Sequence, residues 1–88
     1  MRVLVTGGAD FIGSAVCREL VTCYGIPVIN IDKLTYAANP RSLDAIASDS
    51  RYTFEQADIC DRAAVDAIFS RNQPTAVIHL AADAFGYQ

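Results

Sequence analysis

The chain has 88 residues, 52% of them hydrophobic and 19% charged, with a formal net charge of −3. That length allows at most one small domain, and that composition excludes a disordered chain. The acidic balance speaks against nucleic acid or an anionic membrane as a partner, and no apolar run approaches the ~20 residues of a membrane span.

Arg2 to Thr6 is a short β-branched run that ends at Gly7-Gly8 and reads as a strand buried on both faces. From Phe11 to Tyr24 the apolar residues Ile12, Ala15, Val16, Leu20 and Cys23 recur with a helical period, and Gly25 marks a stop. Pro27 to Ile31 is a second strand, closed by Asp32, and Asn39-Pro40 reads as a turn. Ser42 to Ala47 is expected to form a short helix, and Tyr52 to Glu55 a third strand. Asp61 is a good N-cap for a helix with apolar positions Ala64, Val65, Ile68 and Phe69. Ala76 to Leu80 is a fourth strand.

Strands alternating with helices imply a parallel sheet with right-handed crossovers. The expected fold class is α/β: half of a doubly wound, Rossmann-like fold, with four parallel strands in the order 3-2-1-4 flanked by helices. Residues 1–82 form this partial nucleotide-binding domain, and 83–88 a tail.

The chemistry lies where strands end. TGGADFIG joins the first strand to the first helix, so Gly7, Gly8 and Gly13 allow a tight turn and a close backbone approach to a pyrophosphate. Without a ligand, the same glycines would serve only turn and packing. Asp32 ends the second strand, where an acid hydrogen-bonds a ribose hydroxyl. Asp58, beyond the third strand, suits an adenine amino group, with Ile59 flanking the ring. Leu80-Ala81-Ala82 follow the fourth strand, where small residues admit a cofactor. Each of these also has an ordinary reading as a turn acid or packing residue. His79, the single histidine, has no Cys, Asp or Glu at ligand spacing and reads as structural; no metal site is expected. Cys17, Cys23 and Cys60 read as reduced thiols of a cytoplasmic protein, and Met1-Arg2 leads into a strand without a signal pattern.

VLVTGG-A-x-FIG, VINIDKLTYA-x-N, ADICD and AVIHLAA together resemble the N-terminal part of the dTDP-glucose 4,6-dehydratases, in the extended short-chain dehydrogenase/reductase family. The resemblance implies NAD as cofactor. Gly7, Phe11, Ile12 and Gly13 would contact its pyrophosphate. Asp32 would hold the adenosine ribose with Lys33 and Thr35 nearby, Asp58 and Ile59 would flank the adenine, and Leu80, Ala81 and Ala82 would run beneath its middle. The family removes a hydride from sugar C4, eliminates water across C5–C6 and returns the hydride to C6. It uses a Tyr-x-x-x-Lys pair, in which lysine lowers the tyrosine pKa. Tyr24, Tyr36 and Tyr52 are followed four residues on by Val28, Pro40 and Gln56, and Tyr87 lies one residue from the end of the sequence, so none forms that pair. Two departures stand out: Ala38 replaces a usual glycine, and after Ala82 the family pattern gives way to DAFGYQ, as in a truncated gene with an unrelated tail.

Asp10 occupies the centre of the glycine loop. As an N-cap it satisfies N–H groups a phosphate would use, worth about 1 kcal/mol to the empty fold. Against a pyrophosphate it sets like charges together, about 4 kcal/mol at ~4 Å and a surface-like dielectric, before screening. NAD binding is therefore expected to be weakened or lost. A half fold also leaves its fourth strand as an apolar edge, so a homodimer through that edge and the apolar helix faces is expected. Three readings stay open: an inactive, self-associating remnant; a residual NAD or adenine-nucleotide module; or part of an active enzyme whose catalytic half comes from another chain.

Overall fold

A computed structural model describes residues 1–7, 11–33 and 43–80, with the backbone alone for Phe11. Its elements run β1 (Val3–Thr6), α1 (Phe11–Thr22), β2 (Val28–Asp32), β3 (Tyr52–Gln56), α2 (Arg62–Asn72) and β4 (Ala76–His79). The four strands form one sheet in the order β3-β2-β1-β4, and every neighbouring pair is parallel. This is the topology expected from the alternating pattern.

The β-branched runs explain the centre of the sheet. All four residues of β1 and the first four of β2 are buried, as strands covered on both faces must be. Strand alternation then sorts the side chains onto two faces. Val3, Val5 and Val28 meet Cys17 and Val21 of α1, together with Leu43 and Ile46. Leu4, Ile29 and Ile31 meet Ile68 of α2. Burying one such aliphatic side chain contributes roughly 1.5–3 kcal/mol.

The helix ends follow local chemistry. Asp61 caps α2, its carboxylate accepting from the Ala64 N–H at 3.2 Å. Gln73 closes α2 with φ 48°, and its N–H donates to the Phe69 carbonyl at 2.8 Å. α1 stops at Thr22, and Gly25 takes φ 63°, a left-handed conformation that glycine adopts without the usual Cβ strain.

One expected element is absent. The helix predicted from Ser42 to Ala47 is not formed over its described residues. From Leu43 the chain makes successive turns, with Ile46 N–H bonded to Leu43 O at 3.0 Å and Asp49 N–H to Ile46 O at 3.0 Å. Bonds between residues three apart wind more tightly than an α-helix. That spacing buries Leu43 and Ile46 together against the α1-side core, which is what the apolar pattern had signalled.

Candidate nucleotide site at the carboxyl edge of the sheet

Because every strand runs the same way, all four carboxyl ends share one edge, where open α/β sheets bind ligands. Thr6 of β1 stands in register with Ile31 of β2 and with His79 of β4, and Asp32 with Gln56 of β3. Neighbouring strands lie ~4.8 Å apart. The topology therefore brings Gly7, Asp32, Lys33, Asp58 and Leu80 to a single rim.

Gly7 turns the chain out of β1 with φ 78°, where a Cβ would be strained, while its N–H is held by the Ile31 carbonyl at 2.9 Å. Gly13 lies inside the first turn of α1 and is buried, whereas Ile12 beside it is 64% exposed. Asp32 is half-buried, and its carbonyl accepts from the Ala57 N–H at 3.2 Å, tying the ends of β2 and β3 together.

Asp58 is exposed and shaped by two partners. The Cys60 N–H donates to Oδ1 at 2.9 Å, and Lys33 Nζ stands 3.9 Å from Oδ2. The backbone hydrogen bond first, and the lysine charge after it, hold this carboxyl below the ordinary aspartate range. Ile59 is half-buried and packs with Ala57 against the α2-side core, so one side of the proposed adenine slot belongs to that core. Leu80 donates its N–H to the Thr6 carbonyl at 3.0 Å and to Thr6 Oγ1 at 3.1 Å. Thr35, Ala81 and Ala82, with Gly8 and Asp10, lie outside the described residues, and of Phe11 only its place at the start of α1 is described.

His79 pairs with Thr6 Oγ1 through Nδ1 at 2.7 Å, a hydrogen bond across the β1–β4 seam. Sequence reading assigned His79 a structural role but missed Thr6. A hydroxyl as the last strand residue is its only sequence signal, and its partner lies 73 residues away. Among the described residues, no group of three or more His, Cys, Asp or Glu is arranged to hold a metal. None of their helices is long and apolar enough to cross a membrane.

The amino edge of the sheet carries a cavity of about 400 Å³ lined in part by Arg2, Arg51 and Arg71. Its cations are engaged. Arg51 meets Asp49 at 2.8 Å, Arg71 meets Glu55 at 2.9 Å, and Arg2 donates to the Asn72 carbonyl at 3.0 Å. The carboxyl edge, where open α/β sheets bind ligands, is therefore the candidate site.

A family model described as "NAD dependent epimerase/dehydratase family" matches residues 3–88. The dTDP-glucose 4,6-dehydratase of Neisseria meningitidis is 55% identical over 82 residues, covering 93% of this chain and 23% of that protein. The Escherichia coli enzyme of the same name is 55% identical over 83 residues, covering 94% and 23%. The chain thus spans about a quarter of the length of these relatives. Among solved structures, the Bacillus anthracis dTDP-glucose 4,6-dehydratase in complex with NAD superposes with a TM-score of 0.90 at 29% identity, covering 96% of this chain and 27% of that one. A UDP-glucose-4-epimerase from Stenotrophomonas maltophila with bound NAD superposes at 0.81 with 37% identity, covering 97% and 25%.

Proposed function

The chain belongs to the NAD dependent epimerase/dehydratase family, and from that premise we propose that it is the nucleotide-binding part of a dTDP-glucose 4,6-dehydratase fold, without catalysis of its own. The observation that carries this reading is the convergence of the Gly7 turn, Asp32 and the Lys33–Asp58 pair on one sheet edge. These residues fit the adenosine half of NAD. Asp32 meets the ribose hydroxyls, and Asp58 accepts from the adenine amino group. The Gly7 turn brings backbone close to the phosphates. When bound, NAD would supply hydride transfer; this chain's residues would bind and orient it.

Dehydration of a sugar nucleotide needs a base, and no tyrosine here is followed four residues on by a lysine. The same half fold aligns with both dehydratases and an epimerase, so the reaction is decided by residues beyond it. Catalysis would then require that remainder. Asp10 reduces affinity at the pyrophosphate. Adenosine, which lacks that group, is left untouched by it.

Amide NMR during a titration with NAD tests the site. The reading expects shifts at Gly7, Asp32, Lys33, Asp58 and Ile59, larger for Asp10→Gly than for the native chain at equal NAD. Shifts confined to the amino edge around Arg2 and Arg51, or none for Asp10→Gly at ~5 mM NAD, a level that would reveal even millimolar binding, would overturn it.

A further inference from the structure

We propose that Tyr52 is a positioning residue for the adenine end of the site. Its hydroxyl, bonded to the buried Asn30, fixes the register of β3 on β2 and so sets where Asp58 stands. For its ligand the proposal rests on the nucleotide reading above. Its first ground is a polar pair inside an apolar layer. Alternation along β2 puts Asn30 on the same face as Val28, toward α1. Asn30 is 0% exposed, and a buried amide is costly unless it is hydrogen-bonded. Its Nδ2 donates to Tyr52 Oη at 3.0 Å. Tyr52 stands opposite Val28, so this bond runs diagonally across the seam, a reach that suits an aromatic side chain. The Tyr52 side chain also packs against the α1-side core.

The second ground is that little else specifies the register of β3. Thr53, Phe54 and Gln56 are exposed. The connection from Asp32 to Tyr52 is long and imposes no register, as a tight hairpin would. A slip of one residue turns every side chain to the other face, but a slip of two preserves the faces. That slip would bring Phe54 or Ser50 opposite Val28 in place of Tyr52. Phenylalanine has no hydroxyl, and serine is too short for the diagonal. On the other face Glu55 meets Arg71 at 2.9 Å, but the arginine is 58% exposed and its long side chain can follow a shifted strand. Selecting one register among several is the best-attested use of a buried polar contact.

The third ground is what the register controls. Asp58 follows closely after the end of β3 at Gln56. A two-residue slip would carry it ~6.6 Å along the sheet. In the observed register Lys33 Nζ is 3.9 Å from Asp58 Oδ2, and the Ala57 N–H reaches the Asp32 carbonyl at 3.2 Å. The slip would break both contacts and move the carboxylate proposed to meet the adenine.

Tyr52→Phe, and the double variant Asn30→Leu/Tyr52→Phe, separate positioning from stability. Three readouts are taken: the melting midpoint, adenosine affinity by calorimetry, and the cross-strand NMR contact between the paired residues Ile31 and Glu55. Tyr52→Phe is expected to lower the midpoint, weaken adenosine binding about fivefold or more, and weaken the Ile31–Glu55 contact. The double variant, apolar on both sides, is expected to recover the midpoint but neither the affinity nor the contact. Should Tyr52→Phe fail to fold by circular dichroism, the double variant decides. Unchanged affinity in a destabilised Tyr52→Phe, or recovery of affinity together with stability in the double variant, would overturn the proposal and leave the pair a packing contact. No adenosine response in the native chain would overturn the nucleotide reading itself. The Ile31–Glu55 contact would then judge the register lock alone, and its survival in both variants would overturn that too.

Discussion

Lys33 Nζ and Asp58 Oδ2 stand 3.9 Å apart across the carboxyl ends of β2 and β3, with 58% and 46% of their side chains exposed. A pair so exposed adds little to stability, 0–1 kcal/mol. In the proposed nucleotide site Lys33 would add its charge to the Cys60 N–H that holds Asp58, the carboxylate proposed to meet the adenine amino group. Lys33→Ala should therefore leave the thermal midpoint nearly unchanged while weakening adenosine binding several-fold. Calorimetry beside a melting curve separates the two. A large loss of stability with unchanged affinity would make the pair a structural contact only.

Asp49 offers a test of electrostatics away from the site. Its side chain accepts from the Arg51 side chain at 2.8 and 3.0 Å and from the Arg51 N–H at 2.9 Å, and these bonds bring its pKa down to about 2. The folded value lies below the unfolded one of ~3.9. The stabilisation is therefore fully present above pH ~4 and is lost as pH falls toward about 2. The difference in melting temperature between the native chain and Asp49→Asn should be constant from pH 5 to 7, shrink below ~4 and vanish near 2. A difference that persists at the acid end would mean the carboxylate charge is not its source.

The three thiols should divide by burial. Cys17 is fully buried between α1 and the sheet, and that burial pushes its pKa up to about 12 against the opposing charge of Arg18. Cys23 and Cys60 are exposed. A thiol reagent at pH 8 should modify two cysteines in the folded chain and the third only after denaturation. Rapid modification of all three would show that α1 does not pack as described.

The turns after Leu43 should matter as much as a helix would. Ile46 is 1% exposed. Ile46→Ala should cost ~2–5 kcal/mol, as large-to-small changes in a packed core do. Val77→Ala, at a half-exposed position, should cost under ~1 kcal/mol. Urea denaturation checks both, and equal costs would contradict the burial pattern.

These contrasts also show what the sequence could reveal. β1 and β2 were legible because β-branched runs lie between glycine, proline and aspartate, with no helical period to compete. The cap at Asp61 was legible because capping is local. The expected helix at Ser42 to Ala47 failed because Leu43 and Ile46, three apart, fit a tight turn as well as an α-helix. At the site, Asp32 and Asp58 could be picked out by their places after strands. The Thr6–His79 bond, the Cys60 N–H on Asp58 and the Lys33–Asp58 pair join separate segments or depend on loop geometry, which periodicity does not encode. Whether Asp10 fills the loop as a cap lies outside the described residues, and its effect has to be read by binding.

Calorimetric titration of the 88-residue chain with NAD, in parallel for the native sequence and Asp10→Gly, tests the central claim most directly. The account predicts a dissociation constant weaker than ~100 μM for the native chain and at least tenfold tighter binding, ~1.4 kcal/mol or more, for Asp10→Gly. Native binding tighter than ~10 μM, with no gain from Asp10→Gly, would contradict it.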